Sequence, residues 1–282
     1  MTEEIAGVEV LAPAKINLSL RVLGKRRDGF HEIDTVIASI SLYDKIDIEK
    51  QNRWIDFVCD DASLPTGDEN LVVRAAKIFF ETTDAKGGVS IKLRKQIPHG
   101  AGLGGGSSDA AATLLALDQL FETKLARHRL AQIAAPLGSD VPFFFYGSAA
   151  LCKGRGEIVT PVILKEKLSI LLLKPQFAVA SGWAYQHWER SRQLAGVDYQ
   201  SHTFAELTLV NDLERPVFEK FIFLAKMKMW LRKQSEVGAA LMSGSGSTVF
   251  AILHENADVD LLATRAKSEL DPQLWTCACE TI

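Results

Sequence analysis

Apolar and polar residues alternate over residues 8–12 and again over 14–22, the period-two pattern of strands that bury one face. Asp28-Gly29 inside Lys25-Arg-Arg-Asp28-Gly29-Phe30 marks a hairpin turn, after which alternation resumes from residue 31 to 48. Asp68-Glu-Asn70 offers N-caps for a helix over 71–81, and Gly88-Val-Ser-Ile-Lys-Leu-Arg reads as another strand. A glycine-rich stretch, 98–108, leads to helices predicted over 109–121 and 125–135. Past a charged, proline-marked segment at 160–167, the pattern predicts a buried strand at 168–173 and helices at 181–193 and 216–233. A strand at 248–253 and a helix at 259–270 follow. Strands and helices occur in runs without strict alternation, which predicts an α+β fold of two lobes, 1–160 and 161–282.

The chain has 282 residues, enough to bury a core without disulfide or metal support. Lys and Arg number 32 against 35 Asp and Glu, and a net charge of −3 argues against a nucleic-acid binder. No apolar run reaches membrane-spanning length, and the acidic opening Met1-Thr-Glu-Glu resembles no targeting peptide. Cys59, Cys152, Cys277 and Cys279 form no Cys-x-x-Cys pair, so the expected setting is a reducing cytoplasm with free thiols. No membrane association and no obligate protein partner are evident.

Five glycines stand among the seven residues 100–106. Glycine accepts positive φ and lets a ligand approach the backbone, at a cost of about 0.5–1 kcal/mol per position in regular structure. The loop feeds a strong helix former, so its N–H groups and the helix dipole suit phosphate, with Ser107 or Ser108 as a candidate cap. No Gly-Lys-Ser/Thr follows, which excludes a Walker A loop. Gly100, Gly102 and Gly105 match a dinucleotide fingerprint formally, with Glu122 at the ribose-acid spacing. Pro98 breaks the strand-to-glycine junction that such a fold requires. Lys15 and Asn17 share one strand face, either solvated or turned into a cleft. Asp140, before Val-Pro-Phe-Phe-Phe-Tyr, is either a helix cap or an acid with a chemical role. Loop, cation and carboxylate together are the parts that phosphoryl transfer needs.

Three motifs resemble those of the GHMP small-molecule kinases: Ala12-Pro-Ala-Lys15-Ile-Asn17, Pro98-His-Gly-Ala-Gly-Leu-Gly-Gly-Gly-Ser-Ser108 and Leu241-Met-Ser-Gly-Ser-Gly-Ser247. Arg27-Asp-Gly-Phe-His31, Leu137-Gly-Ser-Asp-Val-Pro142 and Asn211-Asp-Leu-Glu214 narrow the resemblance to the branch that phosphorylates the 2-hydroxyl of a cytidyl-linked methylerythritol in isoprenoid precursor synthesis. It implies a two-lobed kinase with the active site in the cleft, using ATP and Mg²⁺ carried mainly by the nucleotide phosphates, and a small-molecule acceptor. By the same resemblance Lys15 and Asp140 are catalytic. Pro98, His99, Gly100, Ala101, Gly102, Leu103, Gly104, Gly105, Gly106, Ser107 and Ser108 bind ATP, with Asn70 and Lys95 near the adenine. Asn17, Phe30, His31 and Ser181 fall on the substrate side, where Phe30 replaces the commoner Tyr and keeps a stacking face. The rival readings are a homoserine- or mevalonate-type GHMP kinase, a non-catalytic nucleotide-binding module and a dehydrogenase.

Overall fold

A computed structural model describes residues 7–282, so the acidic opening read for targeting lies outside the described residues. In chain order the elements are β1 (Gly7–Lys25), β2 (His31–Gln51), β3 (Ile55–Cys59), α1 (Leu71–Thr82), β4 (Gly88–Arg94), α2 (Gly105–Phe121) and α3 (Arg127–Ala134). A single 3₁₀ turn, Val141–Phe145, precedes β5 (Ala149–Gly154), β6 (Ile158–Pro161), β7 (Ser169–Lys174) and α4 (Ser181–His187). Next come β8 (His202–Phe204), β9 (Leu207–Asn211), α5 (Glu214–Lys220) and α6 (Ile222–Leu231). The chain closes with β10 (Val237–Met242), β11 (Val249–Leu253), α7 (Val259–Glu269) and β12 (Trp275–Glu280). The α+β class expected from the pattern holds.

Two sheets organise these elements. The larger runs β3-β4-β2-β1-β9-β8, with β5 on β2 and β6 on β5; the smaller runs β10-β11-β7-β12. The strands expected over 8–12 and 14–22 are one strand. Pro13 leaves a register irregularity between Pro13 and Ala14, and a second shift falls between Asn17 and Ser19. Such bulges re-aim side chains, and here Lys15 and Asn17 lie between them. Parallel pairing of Ser19 and Leu20 with Val210 and Asn211 brings β9 from the second half into the first sheet.

The core has three main parts. One packs Ile46 and Ile48 against Phe79, Leu114 and Leu117 beneath α1–α3. A second packs Leu171, Leu173 and Val249 against Phe218, Leu224 and Met227. The third joins the sheets back to back through Ile16, Leu18, Ile40, Ile170, Leu172 and Phe250. Burial of whole Val, Leu, Ile or Phe side chains contributes about 1.5–3 kcal/mol each, so this shared layer fixes the two halves relative to one another.

Three helices depart from the pattern. Helix α2 starts at Gly105 rather than Asp109, with left-handed Gly104 (φ 71°) as cap and no capping side chain. Helix α4 stops at His187 because the Trp188 carbonyl is captured by the Ser191 hydroxyl (2.8 Å) and the Arg215 guanidinium (2.6 Å). The helix expected over 216–233 breaks at Phe221, whose backbone leaves the helical region (φ −113°, ψ 69°) as its ring stacks on Phe177. Among the described residues no helix is long and apolar enough to cross a membrane, and all four cysteines are free.

Candidate functional site

A cavity of about 720 Å³ opens where β1, the β1–β2 turn, the glycine loop, Asp140 and α4 meet. Of the catalytic, ATP-side and acceptor-side residues implied by the resemblance, Ser108 alone does not line it; that side chain is buried with its hydroxyl unpartnered.

Lys15 is 3% exposed. Its Nζ donates to Asn17 Oδ1 at 2.7 Å and stands 3.3 Å from Asp140 Oδ2. Asn17 Nδ2 donates in turn to Thr35 Oγ1 at 2.9 Å, and Thr35 donates to the Ser19 carbonyl at the bulge. The strand face carrying Lys15 and Asn17 is therefore covered and lines the cleft. Asp140 occupies the cap position of the 3₁₀ turn, yet its side chain makes no capping bond and faces Lys15 instead. Both open questions about these residues resolve toward the cavity.

The glycine loop is shaped by two contacts. Gly100, Gly102 and Gly104 all have positive φ (62°, 75° and 71°). A Cβ on Gly102 would stand 2.2 Å from the Ser243 carbonyl oxygen, so only glycine lets the loop meet the 243–247 loop. Ser243 Oγ donates to the Gly102 carbonyl (2.9 Å), and the Lys15 amide donates to the Leu103 carbonyl (2.9 Å). Ala101 and Leu103 point inward to the core, so their contribution to the cavity is backbone. With Gly104 as cap, Gly105, Gly106 and Ser107 form the first turn of α2 and line the cavity, a helix start whose N–H groups can donate to an anion. Ser107 and Ser108 lie inside the helix and do not cap it. Glu122 ends α2 at its far end from the glycine loop and does not line the cavity, so it is not placed as a ribose acid there.

Asn70 and Lys95 reach the cavity wall with their polar groups already engaged. Asn70 caps α1 by accepting from the Val72 amide (2.9 Å) and donates to the Pro65 carbonyl (2.8 Å). Lys95 bridges the buried carboxylates of Asp44 and Asp109, the latter at 2.7 Å. Burial pushes the Asp109 carboxyl up to about 7, against the pull of Lys95.

At the other end His31 stacks on Tyr185 (centroids 5.4 Å, planes 26° apart) and meets Trp188 edge-on. Burial lowers the His31 pKa, so the imidazole is neutral at neutral pH. Burial, with a smaller contribution from the Asp140 charge, pushes the Tyr185 phenol up. Phe30 lies half-exposed at the rim beneath the Arg155 guanidinium, 4.6 Å from its centroid. Ser181 Oγ and Ser245 Oγ are 2.8 Å apart across the cleft floor.

Thr35, Arg155 and Tyr185 line this site and were not legible as site residues. Tyr185 sits one helical turn after Ser181, so the i, i+4 spacing was the available signal. Arg155 follows Gly154 in a tight turn (Gly154 φ 73°), the kind of exposed tip that presents a charge.

Residues 70–148 match the N-terminal domain of GHMP kinases, and residues 202–271 match the GHMP kinase C-terminal domain. The chain is 40% identical over 272 residues to the 4-diphosphocytidyl-2-C-methyl-D-erythritol kinase of Methylacidiphilum infernorum, covering 95% of this chain and 94% of that one. It is also 40% identical over 261 residues to the same-named kinase of Thermodesulfovibrio yellowstonii, covering 87% and 89%. A crystal structure of 4-(cytidine 5'-diphospho)-2C-methyl-D-erythritol kinase superposes with a TM-score of 0.79 at 35% identity, over 97% of this chain and 98% of that one. A homoserine kinase from Cytophaga hutchinsonii, at 17% identity and a TM-score of 0.70, shares the fold. Matched over nearly its whole length, this chain belongs to the 4-diphosphocytidyl-2-C-methyl-D-erythritol kinase family of the GHMP kinases.

Proposed function

We propose that this chain transfers the γ-phosphate of ATP to the 2-hydroxyl of 4-diphosphocytidyl-2-C-methyl-D-erythritol, giving the 2-phosphate and ADP in non-mevalonate isoprenoid precursor synthesis. The observation that carries the reading is one cavity in which the Lys15–Asp140 pair stands between a phosphate seat and an aromatic wall. Asp140 orients the acceptor hydroxyl and takes its proton as the oxygen–phosphorus bond forms and the bond to the β-phosphate oxygen breaks. Lys15 stabilises charge on the transferring phosphoryl group and stands 3.3 Å from Asp140 Oδ2. The first turn of α2 and residues 98–108 seat the triphosphate. Asn70 and Lys95 shape the adenine end, their side chains already fixed by α1 and by Asp44 and Asp109. His31, with Phe30 and Tyr185, takes the cytosine by its face, while Asn17 and Ser181 border the sugar-alcohol end.

Mg²⁺ enters this reading with the nucleotide. The ion would be held mainly by the nucleotide phosphates, as Mg²⁺ usually is in such sites. The two lobes read from the sequence, 1–160 and 161–282, both supply walls of the cavity, and the chemistry calls for no second polypeptide. A cytoplasmic setting supplies ATP and suits the free cysteines.

The test is ADP release with the cytidyl acceptor beside homoserine and mevalonate. The expected result is turnover with the cytidyl acceptor alone, falling about 10²–10⁴-fold in Lys15→Met and in Asp140→Asn while circular dichroism is unchanged. Turnover with homoserine or mevalonate instead, or undiminished turnover in both variants, overturns it.

A further inference from the structure

Outside the cavity, the most buried ion pair in the second half of the chain joins Glu214 on α5 to Lys228 on α6. Both side chains are about 1% exposed, and Lys228 Nζ lies 2.6 Å from Glu214 Oε2. Lys228 also donates to the Asp198 carbonyl at 3.0 Å. A buried pair of this kind is weak evidence for stability, because desolvating both charges offsets their attraction. Its other contacts point elsewhere. Glu214 Oε1 accepts from the Met242 amide at 2.9 Å, at the root of the 243–247 loop. Three residues earlier, Asn211 Nδ2 donates to the carbonyls of Met242 and Gly244, both at 2.7 Å, while its Oδ1 accepts from the Leu213 amide. The backbone of this loop is thus held at three points by side chains that never reach the cavity.

The loop itself does reach it. Gly244 and Ser245 line the cleft. A Cβ built on Gly244 would stand 3.4 Å from Asn17 Oδ1 and 3.5 Å from Lys15 Nζ. Ser245 meets Ser181, and Ser243 is bonded to the glycine loop. The loop thus packs close to Lys15 and Asn17 and directly contacts Ser181 and the glycine loop.

We infer that Glu214, balanced by Lys228 and joined by Asn211, positions the 243–247 loop against Lys15, Asn17 and Ser181 and thereby sets the acceptor geometry. Glu214 is a positioning residue, since its acceptor atom acts through the Met242 amide. The inference rests on the kinase reading proposed above. The charge of Glu214 matters less than its second oxygen: Lys228 makes burial of the carboxylate tolerable, and the other oxygen holds the loop.

The test separates those two oxygens. The double variant Glu214→Gln/Lys228→Met removes both charges and keeps an amide oxygen for Met242; Glu214→Leu/Lys228→Met removes that acceptor as well. Each is assayed beside wild type with ATP and the cytidyl acceptor, and Tm is read for both. The expected result is kcat within about threefold of wild type for the Gln pair. The Leu pair should show a fall of tenfold or more in kcat with a raised acceptor KM and an unchanged ATP KM. Equal kinetics in the two double variants, or wild-type kinetics in the Leu pair, overturns the inference. Should the Leu pair fail to fold, Asn211→Ala, which removes both loop donors, is held to the same kinetic split. Inactivity of wild type itself on this acceptor would count against the kinase reading, whereas active wild type with insensitive variants counts against the positioning role alone.

Discussion

One ammonium serves two carboxylates beneath the first turn of α2. Asp44 is satisfied, since it also accepts from the amides of Gln96 (2.6 Å) and Ile97 (2.9 Å). Asp109 is not: its Oδ1 is buried without a partner. Its carboxyl, pushed up to about 7, binds a proton more tightly in the folded chain than in the unfolded one, where the ordinary value is about 3.9. The folded state therefore loses stability as pH rises from about 4 through 7, and the loss is complete above that range. Asp109→Asn removes this dependence. Its Tm should exceed that of wild type by several degrees at pH 8, and the gap should shrink toward pH 5. A difference equal at both pH values would show that the carboxylate is ionised throughout. At this scale the sequence was informative where a residue type was surprising for its place. A lysine and an asparagine on a strand, or an aspartate before a run of phenylalanines, stood out by type, although their local pattern left a solvated face and a helix cap equally open. Tyr185 and Thr35 did not, because a tyrosine on a helix and a threonine on a strand are ordinary, and only packing across the fold sets them against His31 and Asn17.

Elements that bury one strong face were legible nearly to the residue. Helix α1 begins after Asn70 and β4 spans Gly88–Arg94 as the pattern predicted, because a capping side chain and strict alternation are local signals. Short strands such as β8, β9 and β12 were not: β9 and β12 pair with β1 and β7 far away in sequence, and β8 is a three-residue strand in a hairpin with β9. Helix α2 shows the same limit: glycine is a poor helix residue by about 1 kcal/mol relative to Ala, yet Gly105 and Gly106 form the first turn because it seats against neighbouring chain. The glycines are accordingly not equivalent. Gly102→Ala places a Cβ 2.2 Å from a backbone oxygen at φ 75°, and neither loop can yield without losing its bond to the other. Strain of this type costs about 1–3 kcal/mol, so the urea midpoint should fall, with weaker ATP binding by calorimetry. Gly106→Ala meets only Leu71 Cδ1 at 3.5 Å and should keep or raise the midpoint, and because Gly106 lines the cavity it should weaken ATP binding. If Gly102→Ala left the midpoint unchanged, the interlocking of the two loops would not be a constraint.

The charged, proline-marked segment 160–167 suggests a boundary in the sequence, but the route of the chain across it was not legible there. After crossing into the smaller sheet with β7, the chain returns: β9 pairs in parallel with β1, and Asp212 Oδ2 accepts from the Val22 amide at 2.8 Å. It then leaves again through Asn211, whose side chain holds the 243–247 loop. Strand β1 thus needs a segment more than 180 residues later in the chain to complete its edge, and the layer between the sheets draws Ile16 and Ile40 from one half and Ile170 and Phe250 from the other. Exposing that layer would open apolar surface in both halves at once, at about 25 cal/mol for each Å². Neither half can therefore melt while the other keeps its active-site wall. Calorimetry of the whole chain should give one unfolding transition with van't Hoff and calorimetric enthalpies in agreement. ATP should raise its midpoint as a single peak, since a ligand bound only to the folded state stabilises every part that unfolds with it. Two resolved transitions, with ATP moving just one, would mean that β9 and the shared core do not couple the lobes. The catalytic cleft would then be an encounter between independent parts rather than the product of one cooperative fold.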